Sequence, residues 1–314
     1  MRMILIIDWR RNNMNDKLDY FFVGWNSELL FNILMENNCN MLLSQYNNRP
    51  MIKRVVEYKK EHPEYTGKLF IDSGAYTVST KGDEVDIDSY ISYINEIGEY
   101  VDIIAPLDVI PKFKGDKTEE ASEKNYNYMM EHLKYPEKLI PVFHEGESWE
   151  YLKKILSYGK DYIAVGALVG ASKNQIEYFL NKVFLIIKEF EKETGRKIKV
   201  HTFGMTNQKL LKSFPITSAD STSHIMCASR GSIMTDYGII PVSDVQSNLK
   251  NHIFNKSDAA MKTLQKYLDK LGITLDQITG ERGYIYRTVI NVYYILDFCN
   301  NYKYEDKITR KPLF

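Results

Sequence analysis

Three aspartates stand where nucleophilic and acid–base chemistry would need them. Asp72 follows the apolar start of KLFIDSGAY (68–76), Asp108 lies near the end of VDIIAPLDVI (101–110), and Asp220 falls within PITSADSTS (215–223). Ser73 comes next to Asp72, and His144 and Glu145 end the run KLIPVFHEG (138–146). Gly166 and Gly170 belong to DYIAVGALVG (161–170), and Gly204 to KIKVHTFGM (197–205). Paired carboxylates suit reaction at an anomeric carbon, where one attacks the sugar to give a covalent glycosyl-enzyme and another moves a proton. A third carboxylate can accept hydrogen bonds from the N–H groups of a purine edge. Glycines let the backbone approach a flat base, and Tyr76 and Phe143 offer a stacking face. Each feature also has a plain structural reading. An aspartate after a strand is often a cap or loop residue, His144, His201 and His224 read as structural histidines when taken singly, and Gly166 and Gly204 read as turn glycines.

Such residues need a frame that brings them together. The runs at 19–25, 40–46, 68–76, 101–110, 138–146, 161–170, 197–205 and 215–223 are mostly continuous apolar stretches, the pattern of strands buried on both faces of a parallel sheet. The last is polar and is placed by its position in the series. Helical patterns lie between them at 87–100, 118–133, 148–159, 172–195 and 207–214, with Ser148 and Ser172 as N-terminal caps and Gly159 and Gly195 as stops. Alternating strands and helices predict an α/β fold, a (β/α)₈ TIM-type barrel, whose active site lies at the C-terminal strand ends. An open doubly wound sheet is the rival, but no G-x-G-x-x-G turn follows an early strand. Beyond 223 the rhythm breaks. A loop or short hairpin (230–244) and helices at 257–272 and 284–301 predict a C-terminal helical extension, 233–314, on a barrel spanning about 19–232, in a single domain of 1–314.

With 41 Lys+Arg against 41 Asp+Glu, the zero net charge argues against a protein that coats nucleic acid, while leaving room for a local basic patch. Cys39, Cys227 and Cys299 are far apart and form no C-x-x-C pair, so neither a zinc knuckle nor a redox pair is signalled. The opening MRMILIIDWRR has too short an apolar run for a signal peptide, and no segment approaches the length of a membrane span. These features predict a cytoplasmic protein, in the host cytoplasm if phage-encoded, with no membrane partner.

The order of the motifs resembles the tRNA-guanine transglycosylase superfamily. IDSGAYTVST (71–80), IAPLDVI (104–110), PVFHEG (141–146), YIAVGALVG (162–170), HTFGMTNQKLLKSF (201–214) and ITSADSTS (216–223) carry the resemblance, with RGYIYRTVINVYYIL (282–296) similar to the family's closing helix. The resemblance implies that Asp220 is the nucleophile at C1′ of the target nucleoside. It implies that Asp72 is the general acid/base and that Asp108 hydrogen-bonds the bound purine. Glu145 falls where the family has a base-reading glutamine, with His144 before it, and Gly166 and Ala167 match the segment lining the base pocket; Ser73 and Gly204 are further candidates for binding the substrate. Arg230, Lys209 and Lys212 are candidates for holding nucleic-acid phosphates, or belong to an ordinary solvated face. The chain departs from the family at Ala75 and Tyr76, where a Gly and a Phe are usual. It departs again at 257–283, where the tRNA enzymes place three Cys and one His around zinc and this chain has neither residue type. No zinc or other cofactor is therefore expected, and the DNA-modifying, DpdA-like branch, which inserts a 7-deazaguanine base, is the better match. The alternatives are a zinc-free tRNA base exchanger, a non-catalytic nucleic-acid-binding partner subunit and, more distantly, a glycoside hydrolase. The sequence leaves open a homodimer or a helper protein.

Overall fold

Every apolar run read as a strand forms one, in a shorter span. The strands are β1 (Asp19–Phe22), β2 (Asn40–Ser44), β3 (Leu69–Asp72), β4 (Ile103–Ile104), β5 (Val142–His144), β6 (Tyr162–Gly166), β7 (Lys199–Thr202), β8 (Ser218–Ser221), β9 (Ser232–Thr235) and β10 (Gly238–Pro241). The helices are α1 (Glu28–Glu36), α2 (Gln45–Glu61), α3 (Ile87–Ile97), α4 (Glu119–His132), α5 (Trp149–Ser157), α6 (Lys173–Thr194), α7 (Gln208–Ser213), α8 (Ser223–Ser229), α9 (Asp258–Leu271), α10 (Leu275–Thr279) and α11 (Tyr284–Asn300). The computed structural model describes residues 17–75, 77, 85–111, 116–168, 170–250, 252–253, 258–305 and 308. Tyr76, the opening segment 1–16 and the predicted helix start at Ser257 lie outside them.

The described residues group into two compact units. The larger holds Leu18–Gly24 and Asn40–Ser221, and the smaller holds Trp25–Cys39 and Thr222–Tyr302. In the larger unit β1–β8 make one eight-stranded sheet in the order β4-β3-β2-β1-β8-β7-β6-β5, with parallel pairing throughout. Among the described residues its two ends meet at a parallel bridge, Ile104 with Leu139, where Ile140 N donates to Ile104 O at 3.0 Å. Phe21, Leu42, Phe70, Ile103, Ala105, Ile140, Val142 and Ala164, drawn from β1 to β6 and their margins, form one buried cluster. Only a curled sheet brings those strands to a common interior, so this is an α/β unit compatible with a TIM-type fold.

The helices start where the sequence provides caps. Ser148 Oγ accepts from Tyr151 N ahead of α5, and Ser172 and Gln175 form a capping box ahead of α6. Gly195 ends α6 in the left-handed region at φ 74°. Helices α1 and α2 have no counterpart in the sequence reading. In α2 the cause is visible: its backbone is kinked at Asn48 (φ −122°, ψ 20°), and Pro50 stands just beyond, so the segment does not read as one periodic helix.

In the smaller unit the 230–244 segment forms an antiparallel hairpin, β9 with β10. Its core joins Ile233, Ile240 and Val242 to Leu264 and Leu268 of α9, Ile278 of α10 and Val289, Ile290 and Tyr293 of α11. Asn291 clips the unit together, its Oδ1 accepting from Met234 N (2.7 Å) and its Nδ2 donating to His224 O (3.0 Å). Among the described residues no helix is long and apolar enough to cross a membrane.

Candidate active site

Side chains alternate along a strand, so the residue two beyond an interior one is interior as well. Phe70, Val142 and Ala164 belong to the interior cluster. Asp72, His144 and Gly166, each two positions on, therefore face the same space at the C-terminal ends of β3, β5 and β6. From β7, the His201 ring packs edge-on against Phe21 and Phe70, which places it inside too.

Strand β8 owes its polar sequence to this interior. Ser218 Oγ lies 2.7 Å from His201 Nδ1 and also meets Tyr162 Oη, while Asp220 Oδ1 lies 3.2 Å from His201 Nε2. The same Asp220 oxygen accepts from Gly204 N at 3.0 Å. Gly204 is left-handed (φ 66°), which turns its N–H toward the carboxylate. Asp220 is buried yet held through one oxygen by two neighbours.

Asp72 sits on a fixed turn. Its Oδ2 accepts from Gly74 N at 3.0 Å, and Ser73, itself buried, receives Gln45 Nε2 on its carbonyl at 3.2 Å. Arg49 in turn holds Gln45 Oε1 (Nη2 at 2.9 Å) and stacks over Tyr93. Burial, then the negative charge of Asp108, push the Asp72 carboxyl up to about 7; the Gly74 N–H opposes them, Asp220 adds a weaker push, and the Ser73 N–H pulls least. The three aspartates thus share one field. Tyr90 of α3 lies beneath Asp72 and Asp108, fully buried, donating to Ala105 O at 2.8 Å. Burial and both carboxylates raise its phenol far out of the titrating range.

Asp108 Oδ2 lies 2.7 Å from His144 Nε2, and His144 Nδ1 lies 3.4 Å from Glu147 Oε1. Glu147 Oε2 also accepts from His144 N at 2.7 Å. Burial opposes a charge on His144, but Asp108 and Glu147 outweigh it and raise the imidazole to about 10. Gly166 lies against this ring: a Cβ there would come within 3.3 Å of His144 Cδ2 and 3.4 Å of Phe203 Cδ2. The next residue, Ala167, adopts φ 61°, a strained conformation for a non-glycine residue.

Asp72, Ser73, Asp108, His144, Gly166, Ala167, Gly204 and Asp220 are thus gathered on one end of the sheet. Glu145 is exposed, and its backbone N–H is used by Gly166 O (3.1 Å). Lys209 is exposed and Lys212 half-buried on α7, and exposed Arg230 follows α8 in the smaller unit. One expectation is corrected. Phe143 is fully buried, stacked on Phe179 and tilted against Trp149, because it points away from the interior that His144 faces. Phe203, whose ring meets His201 and Phe70, is an aromatic on the inner side. Two residues of the site escaped the sequence reading. Glu147 is one, hidden by its place after a glycine turn, although the spacing H-E-G-E was a usable signal. His201 is the other, read there as structural, and it binds the Asp220 carboxylate. Among the described residues, no three or more His, Cys, Asp or Glu side chains cluster so as to hold a metal ion.

No protein-family model matches the chain, and no curated protein matches its sequence. What the site can do therefore rests on its geometry.

Proposed function

We propose that the larger unit is a (β/α)₈ barrel of TIM type and that the chain is a guanine transglycosylase, replacing guanine in DNA by a 7-deazaguanine base. One observation carries the reading: two carboxylates in different surroundings share the interior end of the sheet. Asp220 is gripped at Oδ1 by Gly204 N and faced by His201, while Asp72 is held near neutrality. The first suits a nucleophile whose other oxygen attacks. The second suits a group that must both give and take a proton near neutral pH.

In the proposed first half-reaction the target nucleotide leaves its stack. An Asp220 oxygen attacks C1′, the C1′–N9 bond breaks with its electron pair passing to guanine, and Asp72 gives the departing base a proton. In the second, the 7-deazaguanine passes a proton to Asp72, its N9 attacks C1′, and the Asp220 ester is released. The balance needs no redox partner. DNA is favoured over tRNA because 257–283 lacks the Cys and His residues of the tRNA enzymes.

Covalent trapping tests the mechanism. Wild type mixed with substrate DNA and no incoming base should give a denaturant-resistant protein–DNA adduct that disappears when the base is added. Asp220→Asn should form none. An adduct of undiminished yield in Asp220→Asn removes the nucleophile assignment.

A further inference from the structure

The chain from Glu147 through His144 to Asp108 is not needed to move a proton or attack a sugar, yet His144 and Glu147 are both buried. Both His144 ring nitrogens are occupied by carboxylates, at 2.7 Å for Asp108 and 3.4 Å for Glu147, so the ring has no N–H left for a ligand. Glu147 uses its second oxygen on the backbone N–H of His144 (2.7 Å), which fixes the ring's own anchor. At the far end, Asp108 Oδ2 is taken by the ring, and its Oδ1 makes no hydrogen bond among the described residues. A carboxylate bound this way has only an acceptor oxygen left to offer a ligand.

We propose that Glu147 and His144 are positioning residues whose buried chain presents Asp108 as a one-oxygen acceptor, selecting a neutral heterocyclic base that offers an N–H donor edge. This rests on the site being a base pocket. The physical reason is charge-assisted hydrogen bonding. A carboxylate oriented by a cation accepts an N–H strongly, and in a desolvated pocket a ligand with a ring acceptor opposite it meets two lone pairs face to face. The acidic groups facing His144 are Asp108, from the segment after β4, and Glu147, from the segment after β5. Gly166 of β6, against the ring's Cδ2 edge, brings no charge. The raised imidazole value, about 10, agrees with this arrangement.

Two measurements on the full chain test it. In ring-¹⁵N-labelled protein, His144 should keep both ring protons up to about pH 9, and Glu147→Gln should lower its midpoint by about one unit or more. Calorimetry with guanine, and with 2-aminopurine, whose N1 is an acceptor, should show a wild-type preference for guanine of roughly tenfold or more. That preference should shrink to roughly threefold or less in both His144→Gln and Glu147→Gln, whereas a merely structural role would weaken both ligands alike. A wild-type His144 titrating near the ordinary histidine value, or an unchanged preference in both variants, overturns the proposal. A doubly protonated His144 with no purine binding overturns the base-pocket reading and the ligand class with it, while leaving the buried chain itself intact.

Discussion

At the residue scale, the site separates two aspartates by their surroundings. Asp220 is approached by Gly204 N and His201, whereas Asp72 is desolvated and faces other carboxylates. The pH consequence for Asp72 has a definite sign. Its folded value, about 7, lies above the unfolded value, so from about pH 4 to 7 the folded state keeps a proton that the unfolded chain has lost. Stability therefore falls as pH rises through that window and levels off above it. Asp72→Asn removes the ionisation and should gain roughly 1–3 kcal/mol at about pH 8, with no gain below about pH 4, measured by urea unfolding at both pH values. The same variant should lose base exchange. In the wild type, single-turnover release of guanine should fall as pH rises through about 7, because the first half-reaction uses protonated Asp72. A profile flat from pH 5 to 9 would remove Asp72 from that role.

At the element scale, tight turns after the strands aim these side chains, and Gly74 is the most constrained of them. It adopts φ +87°, and a Cβ there would stand 2.5 Å from Tyr46 Cβ and 2.7 Å from Ser44 Oγ. Gly74→Ala should cost about 2–4 kcal/mol in stability and lower exchange further than the stability loss explains, because the Gly74 N–H holds Asp72. Chemical unfolding beside steady-state exchange checks both. The strand positions were legible because β3, β5, β6 and β7 are runs of interior apolar residues, and α5 and α6 because Ser148 and Ser172 cap them. Strand β8 was legible only from its place in the series, since Ser218 and Asp220 bury their polarity against His201 instead of showing an apolar face. Of the site, the aspartates stood at strand ends as sequence spacing requires. Phe143 was misread because a one-residue offset along a strand reverses the face, and Glu147 was missed because a loop after a strand has no period to read.

At the scale of the whole molecule, the smaller unit depends on a buried arginine with carbonyl partners. Arg287 Nε donates to Ala228 O at 3.0 Å and Nη1 to Ile278 O, so one side chain closes the C-terminal ends of α8 and α10. Arg287→Met should destabilise the protein by about 2–4 kcal/mol by stranding those carbonyls, read as a lower urea midpoint with unchanged secondary structure at low denaturant. Base exchange by the larger unit is tested by nucleoside analysis with mass spectrometry. Wild type and Asp220→Asn would each be incubated with 7-cyano-7-deazaguanine and with double-stranded DNA, single-stranded DNA or tRNA, and the polymers digested. Wild type should give a 7-deazaguanine deoxynucleoside and the variant none. A product only in tRNA would contradict the choice of DNA, and no product in any polymer from folded wild-type protein, with other 7-deazaguanine bases also tried, would contradict base exchange itself.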